Sequence, residues 1–179
     1  LDRSSAASDV YKRQERAQRR LEDALEIIED IEDRQLEAEV CRHLALLESQ
    51  LGHVDRAREL AARAVTIAGK AGLREKEAQA LLTTGQVMST SLYDADRTEV
   101  LGVPGAAPAE AYYQRAIELL RQIGNDAELA KAIEAYGRYQ VENGQYGEGK
   151  DNLREALMMF SRLGMKRAAE VEKILASVS

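Results

Sequence analysis

The sequence predicts an all-α fold in which about eight helices pair and stack into a right-handed αα-superhelix. Three observations predict it. Tryptophan is absent, phenylalanine occurs once, and both prolines, Pro104 and Pro108, fall in one short stretch. Small residues recur in register every 40 residues. No segment sustains the apolar–polar alternation that marks a half-buried strand.

Of the 179 residues, 45% are hydrophobic and 31% charged, the profile of a globular chain. No apolar run approaches the roughly 20 residues that a membrane-spanning helix needs, so no membrane role and a cytoplasmic location are the expectations. The net charge of −6 disfavours bulk nucleic-acid binding. The lone cysteine, Cys41, excludes an intrachain disulfide and a cysteine metal cluster. With only His43 and His53 beside it, no metal and no cofactor are expected.

Residues 4–14, Ser4-Ser5-Ala6-Ala7-Ser8-Asp9-Val10-Tyr11-Lys12-Arg13-Gln14, resemble one reading frame of a transposase-type sequencing adapter. Residues 1–14 are therefore set aside as an artefact without structure. The expectation is a biological chain that extends upstream of Glu15.

From residue 15 the repeat sets the elements. Ala24, Ala64, Ala116 and Ala156 follow one another at steps of 40, 52 and 40, and Ala17, Ala57, Ala109 and Gly149 stand seven residues before them. Turn positions fall at Glu32, Gly72, Gly124 and Gly164, and Ala45, Gly85 and Gly137 hold a further column. The twelve extra residues of one copy lie in an insertion at about 93–107. Each repeat reads as two helices. First-type helices are expected at 35–51, 75–92 and 126–142, with a last one from Lys166 to Ala176. Second-type helices are expected at 15–30, 54–69, 108–122 and 146–161. Gly52 and Gly144 mark tight turns inside repeats, and Asn125 suits a helix start.

The small residues have a packing role. Positions seven apart share one helix face two turns apart, so Ala57 with Ala64, or Ala109 with Ala116, forms a flat stripe. Ala45, Gly85 and Gly137 form the opposing flat spot, with Gly137 predicted to lie against Gly149 and Leu153. Glycine inside a helix costs about 1 kcal/mol relative to alanine, which points to close approach at those positions.

This pattern resembles the tetratricopeptide repeat family. Its clearest copy is Ala135-Tyr136-Gly137, then Asn143-Gly144-Gln145-Tyr146, Leu153 and Ala156-Leu157. The period of 40 exceeds the usual 34, Gly149 stands where the family usually has alanine, and the closing proline is missing. The resemblance implies that first-type helices line a concave surface. Carried over position by position, the partner-facing residues are Glu39, Arg42, Gln79, Gln86, Lys131, Glu134 and Arg138. Some members clamp a C-terminal carboxylate, but here only Arg42 and Lys131 fit that pattern, while Leu46, Thr83 and Ala135 do not. Long-period members are common in bacterial signalling proteins, behind a kinase, cyclase or transcription-regulator domain.

Nothing else reads as chemistry. Cys41 falls on the Ala38–Ala45 apolar face, as a buried thiol. His43 reads as a surface or packed residue, and His53 as a solvated loop residue. Asp94, Asp96 and Glu99 lack the spacing of a calcium loop. Gly102-Val103-Pro104-Gly105 lacks the Lys-Ser/Thr of a phosphate loop. Tyr112, Tyr113, Tyr136, Tyr139 and Tyr146 read as helix packing rather than a base-stacking platform. The sequence therefore predicts a non-enzymatic module that binds a protein or peptide. The alternative is a regulatory or sensor segment of a larger bacterial signalling protein. A third reading is self-association through the uncapped N-terminal helix.

Overall fold

The computed structural model describes residues 16, 18–28, 30, 32–90 and 109–178. The chain divides into two compact units, Leu1–Tyr93 and Asp94–Ser179. Among the described residues all regular structure is helical. The first unit holds α1 (18–28), α2 (Arg34–Gln50), α3 (Val54–Lys70) and α4 (Arg74–Thr90). The second holds α5 (Ala109–Ile123), α6 (Asp126–Glu142), α7 (Tyr146–Arg162) and α8 (Ala168–Ser177). The expected artefact at 1–14, Ala17 and the insertion at 93–107 lie outside the described residues.

Each unit is thus one second-type helix, one complete helix pair and one further first-type helix. The pairs α2–α3 and α6–α7 are offset by 92 residues at every helix end. The turns explain the regularity. Gly52, Gly72, Gly124, Gly144 and Gly164 all adopt φ between 65° and 82°. The amide after each glycine, on His53, Leu73, Asn125, Gln145 and Met165, donates back to the carbonyl five residues earlier, closing the helix end in a Schellman-type turn. Glu32 takes the same left-handed conformation, φ 56°, without glycine's freedom from the Cβ clash. Two starts are capped by side chains: Asp33 accepts from the Leu36 amide at 3.0 Å and Asn125 from the Glu128 amide at 3.1 Å.

In the first unit Cys41, Leu44 and Ala45 of α2 pack with Ala57, Leu60, Ala61 and Ala64 of α3 and with Ala80 and Val87 of α4. Ile28, Leu21, Ala24 and Leu25 turn the apolar face of α1 to this core. In the second unit Tyr113, Ala116 and Leu120 of α5, Ile133 and Tyr136 of α6, Leu153, Ala156 and Phe160 of α7, and Val171 of α8 are buried. Gly85 and Ala109 are buried as well.

The last helix differs from expectation by two residues. It begins at Ala168, not Lys166, because amides 168, 169 and 170 bond to carbonyls three residues back. Residues 165–167 therefore form a tighter turn ahead of the α-helix. Helix α5 ends one residue later than expected, at Ile123, because Gly124 supplies the stop.

Candidate functional site

In the first unit the first-type helices α2 and α4 carry Glu39, Arg42, Gln79 and Gln86. Glu39 and Lys76 join the two helices, with Nζ to Oε2 at 2.9 Å. The Lys76 ammonium holds the Glu39 carboxyl below the usual carboxylate range, against the opposing effect of burial. One residue beyond Arg42, the exposed His43 ring accepts at Nε2 from Arg42 Nη2 at 2.8 Å. Although its edge reaches solvent, partial burial of the ring first, then the neighbouring Arg42 charge, pushes its pKa down; Glu39 pulls it back, and Lys76 adds the smallest lowering effect. Gln86 is exposed and Gln79, Leu46 and Leu82 are half-buried. The structure thus gathers two cations, one anion and an imidazole at the start of α4.

The second unit carries Lys131, Glu134 and Arg138 on α6. Lys131 is exposed and bonds to Glu128 of its own helix at 2.6 Å. Glu134 departs from expectation: it is only 2% exposed and does not present its carboxylate to solvent. Arg167, from the turn before α8, bonds to both its oxygens at 2.6 and 3.1 Å, and Arg138 completes the pair at 2.9 Å. Arg138 is therefore committed to a buried carboxylate and only half-exposed.

Two further buried carboxylates act as struts in the first unit. Glu37 takes Arg34 at 2.8 Å and Arg63 of α3 at 2.6 Å. Burial favours its neutral form, yet the two guanidinium bonds outweigh that and lower its pKa. Glu48, fully buried, takes Gln18 of α1, Arg56 of α3 and His53 Nδ1 at 2.7 Å. His53 is exposed and lies in the turn between α2 and α3, as expected, and from the N-cap position of α3 its ring also anchors on Glu48. At the matching positions of the second unit, Gln140 bonds to Glu148 and Asn152.

The tyrosine rings of residues 113, 136 and 139 stack on one another with centroids 5.2–6.4 Å apart, while Tyr146 is 57% exposed and apart from them. Tyr136 donates to Glu110 Oε1 at 2.5 Å. Among the described residues no group of histidine, cysteine or carboxylate side chains is arranged to hold a metal. None of the described helices is long and apolar enough to cross a membrane.

Sequence reasoning missed Lys76, His43 and Arg167 as members of these clusters. The repeat held a usable signal. Lys76 lies one turn before Gln79, the next-repeat equivalent of Glu39, and Arg167 stands two turns before the next-repeat equivalent of Glu134. Neighbouring first-type helices run side by side, so contacts at the period minus one or two turns follow.

No protein-family model and no curated protein matches the chain. Solved structures do. A Rap protein complexed with competence and sporulation factor aligns with a TM-score of 0.73 and 19% identity, over 93% of this chain and 44% of that one. A signal-transduction ATPase with numerous domains from Pyrococcus horikoshii, which carries a tetratricopeptide repeat sensor, aligns with a TM-score of 0.61 and 19% identity. That alignment covers 88% of this chain and 23% of the ATPase. The chain spans less than half the length of either of these two structures. Its fold is that of a tetratricopeptide-like helical-repeat solenoid.

Proposed function

We propose that the chain is a non-enzymatic interaction module that holds a protein or peptide segment against its first-type helices. The observation that carries this reading is the α2–α4 face. There, the Glu39–Lys76 pair joins α2 to α4, and the two helices carry the half-buried Gln79, Leu46 and Leu82 and the exposed Gln86. Such a surface offers donors, acceptors and apolar contact without any arranged nucleophile or acid–base pair. The Rap protein, crystallised with a bound factor, supports the reading through a shared fold. In the second unit Lys131 is the candidate contact, and Glu134 and Arg138 serve to fix α8. The test is site-specific photocrosslinking from position 79 or 86 in cells of the source organism, with Glu59 on α3 as the control position. Partner crosslinks from 79 and 86 but not 59 are expected. Crosslinks only from 59, or from none of the three, overturn the reading.

A second reading, a sensor segment of a larger signalling protein, is favoured by the similarity to an ATPase that carries a repeat sensor. Finding a kinase, cyclase, ATPase or DNA-binding domain in the same genomic reading frame is its test.

A further inference from the structure

We infer that the second unit has a site of its own, where Glu110, Tyr139 and Glu148 receive an arginine side chain of a partner protein. These residues stand at the end of the unit where α5 and α7 begin and α6 finishes, so the inference does not depend on the α2–α4 face.

The tyrosine stack supplies the wall of the site. Tyr113 and Tyr136 are buried, while Tyr139 is half-buried and keeps part of its ring at the surface. Its ring centroid lies 5.2 Å from that of Tyr113 and 6.4 Å from that of Tyr136. Glu110 takes the Tyr136 hydroxyl at 2.5 Å and the Gln114 amide at 3.1 Å, both on Oε1. Glu148 takes the Gln140 amide on Oε2 at 3.2 Å. Among the described residues nothing donates to Glu110 Oε2 or Glu148 Oε1, and neither carboxylate forms an ion pair. The charge of the site is therefore uncompensated. Burial first, then Glu110 and more weakly Glu148, against the Gln114 amide, push the Tyr136 pKa up to about 12. Burial and then Glu110 raise that of Tyr139, and no cation offsets either.

The first unit shows what the same frame does with a guanidinium. At the positions 92 residues earlier, Gln18 stands for Glu110, Glu48 for Gln140 and Arg56 for Glu148. Leu21, Leu44 and Leu47 stand for the three tyrosines. There Arg56 reaches two carboxylates, Glu48 at 3.3 Å and Glu22 at 3.2 Å. The second unit keeps two carboxylates, replaces the guanidinium by one of them, and lines the place with rings instead of leucines. An aromatic face attracts a cation, and a planar guanidinium stacks on it while its fork bonds to carboxylate oxygens. A lysine ammonium has neither the plane nor the fork. A partner's arginine thus completes in the second unit what Arg56 completes in the first.

The probe is the peptide acetyl-Gly-Arg-Gly-amide, titrated into the full chain with 13C-labelled tyrosine rings and followed by NMR. Its citrulline analogue, planar but uncharged, and its lysine analogue are the controls. The arginine peptide is expected to shift the Tyr136 and Tyr139 resonances saturably, while those of the exposed Tyr146 stay in place. The citrulline peptide should shift none, and the lysine peptide should bind about threefold more weakly. Glu148→Gln, at an exposed position, and Tyr139→Leu, which installs the first unit's side chain, should each weaken arginine binding about threefold. No saturable shift, an equal response to citrulline, lysine binding as tight as arginine, or unchanged affinity in Glu148→Gln overturns the inference. Partner crosslinks from positions 79 and 86 report on the α2–α4 face alone, so the two readings stand or fall separately.

Discussion

Gly137 and Gly149 face each other across α6 and α7 so closely that a β-carbon on either meets the other's backbone. One built on Gly137 would lie 3.0 Å from the Gly149 carbonyl oxygen and 3.1 Å from the Leu153 amide nitrogen. One built on Gly149 would lie 2.9 Å from the Gly137 oxygen and 2.7 Å from Val141 Cγ2. The first unit has Ala45 and Ala57 at the matching positions, both fully buried. Two glycines in place of two alanines bring backbone against backbone.

Gly149→Ala is therefore expected to destabilise by about 1–3 kcal/mol through overpacking. Alanine's helix propensity opposes this by up to about 1 kcal/mol. Gly147→Ala on the same helix meets nothing within 4 Å and should be neutral or slightly stabilising. Denaturant melts of the two variants separate packing from propensity. Equal stability would show that α6 and α7 have room for the methyl group.

Glu32 supplies a second test, at a turn. It holds φ 56° where the other repeats hold glycine, and an L-residue there costs about 1–2 kcal/mol. Glu32→Gly should relieve this, less the extra freedom glycine has in the unfolded chain. A net gain of about 0.5–1 kcal/mol is expected in chemical denaturation. The reverse change, Gly72→Glu, should lose a similar amount. A destabilised Glu32→Gly would mean that the side chain contributes more than its backbone conformation costs.

What the sequence made legible was spacing. The small-residue columns, the turn glycines and Glu32 as their exception all follow from chain-local rules, and so the helices were located to within a few residues. Burial of charge was not legible. Glu134 reads as a partner-facing residue because the family resemblance puts its position on the concave surface, and only the turn before α8, 33 residues away, supplies the Arg167 that covers it. His53 is the exposed turn residue the sequence predicts, but its bond to the buried Glu48 was not legible for the same reason. A polar side chain's partner is a tertiary fact, and a period of 40 narrows the candidates without choosing among them.

Glu37 gives a pH prediction. Its folded pKa is lowered, so its ionised bonds to Arg34 and Arg63 stabilise the fold above the unfolded carboxylate value near 4.3. That contribution is lost as pH falls through the lower folded value. Both arginines are partly exposed and regain water when released, so Glu37→Gln should cost about 1 kcal/mol at pH 7 and less at pH 3. Urea midpoints at the two pH values measure the difference. A cost that is the same at both would show that the charge is not what Glu37 contributes.

Glu134 is expected to act on α8 more than on the whole second unit. Its carboxylate is buried, takes Arg167 with both oxygens, and so ties the entry of α8 to the middle of α6. Helix α8 has little else to hold it, since Val171 is its one fully buried residue. Glu134→Gln keeps the shape but removes the charge, weakening two charge-assisted bonds. Arg167 is 45% exposed and rehydrates, so the loss is about 1–2 kcal/mol rather than the 3–5 of a fully buried pair. Because α8 has so little buried surface of its own, that loss should appear as local opening. Amide hydrogen exchange is expected to accelerate about tenfold or more in α8 while α6 and α7 stay protected. Arg167→Gln should reproduce the pattern, and adding it to Glu134→Gln should cost little further, since both remove the same contact. Exchange that rises equally in α6, α7 and α8 would show that Glu134 supports the unit's core instead of fastening its last helix.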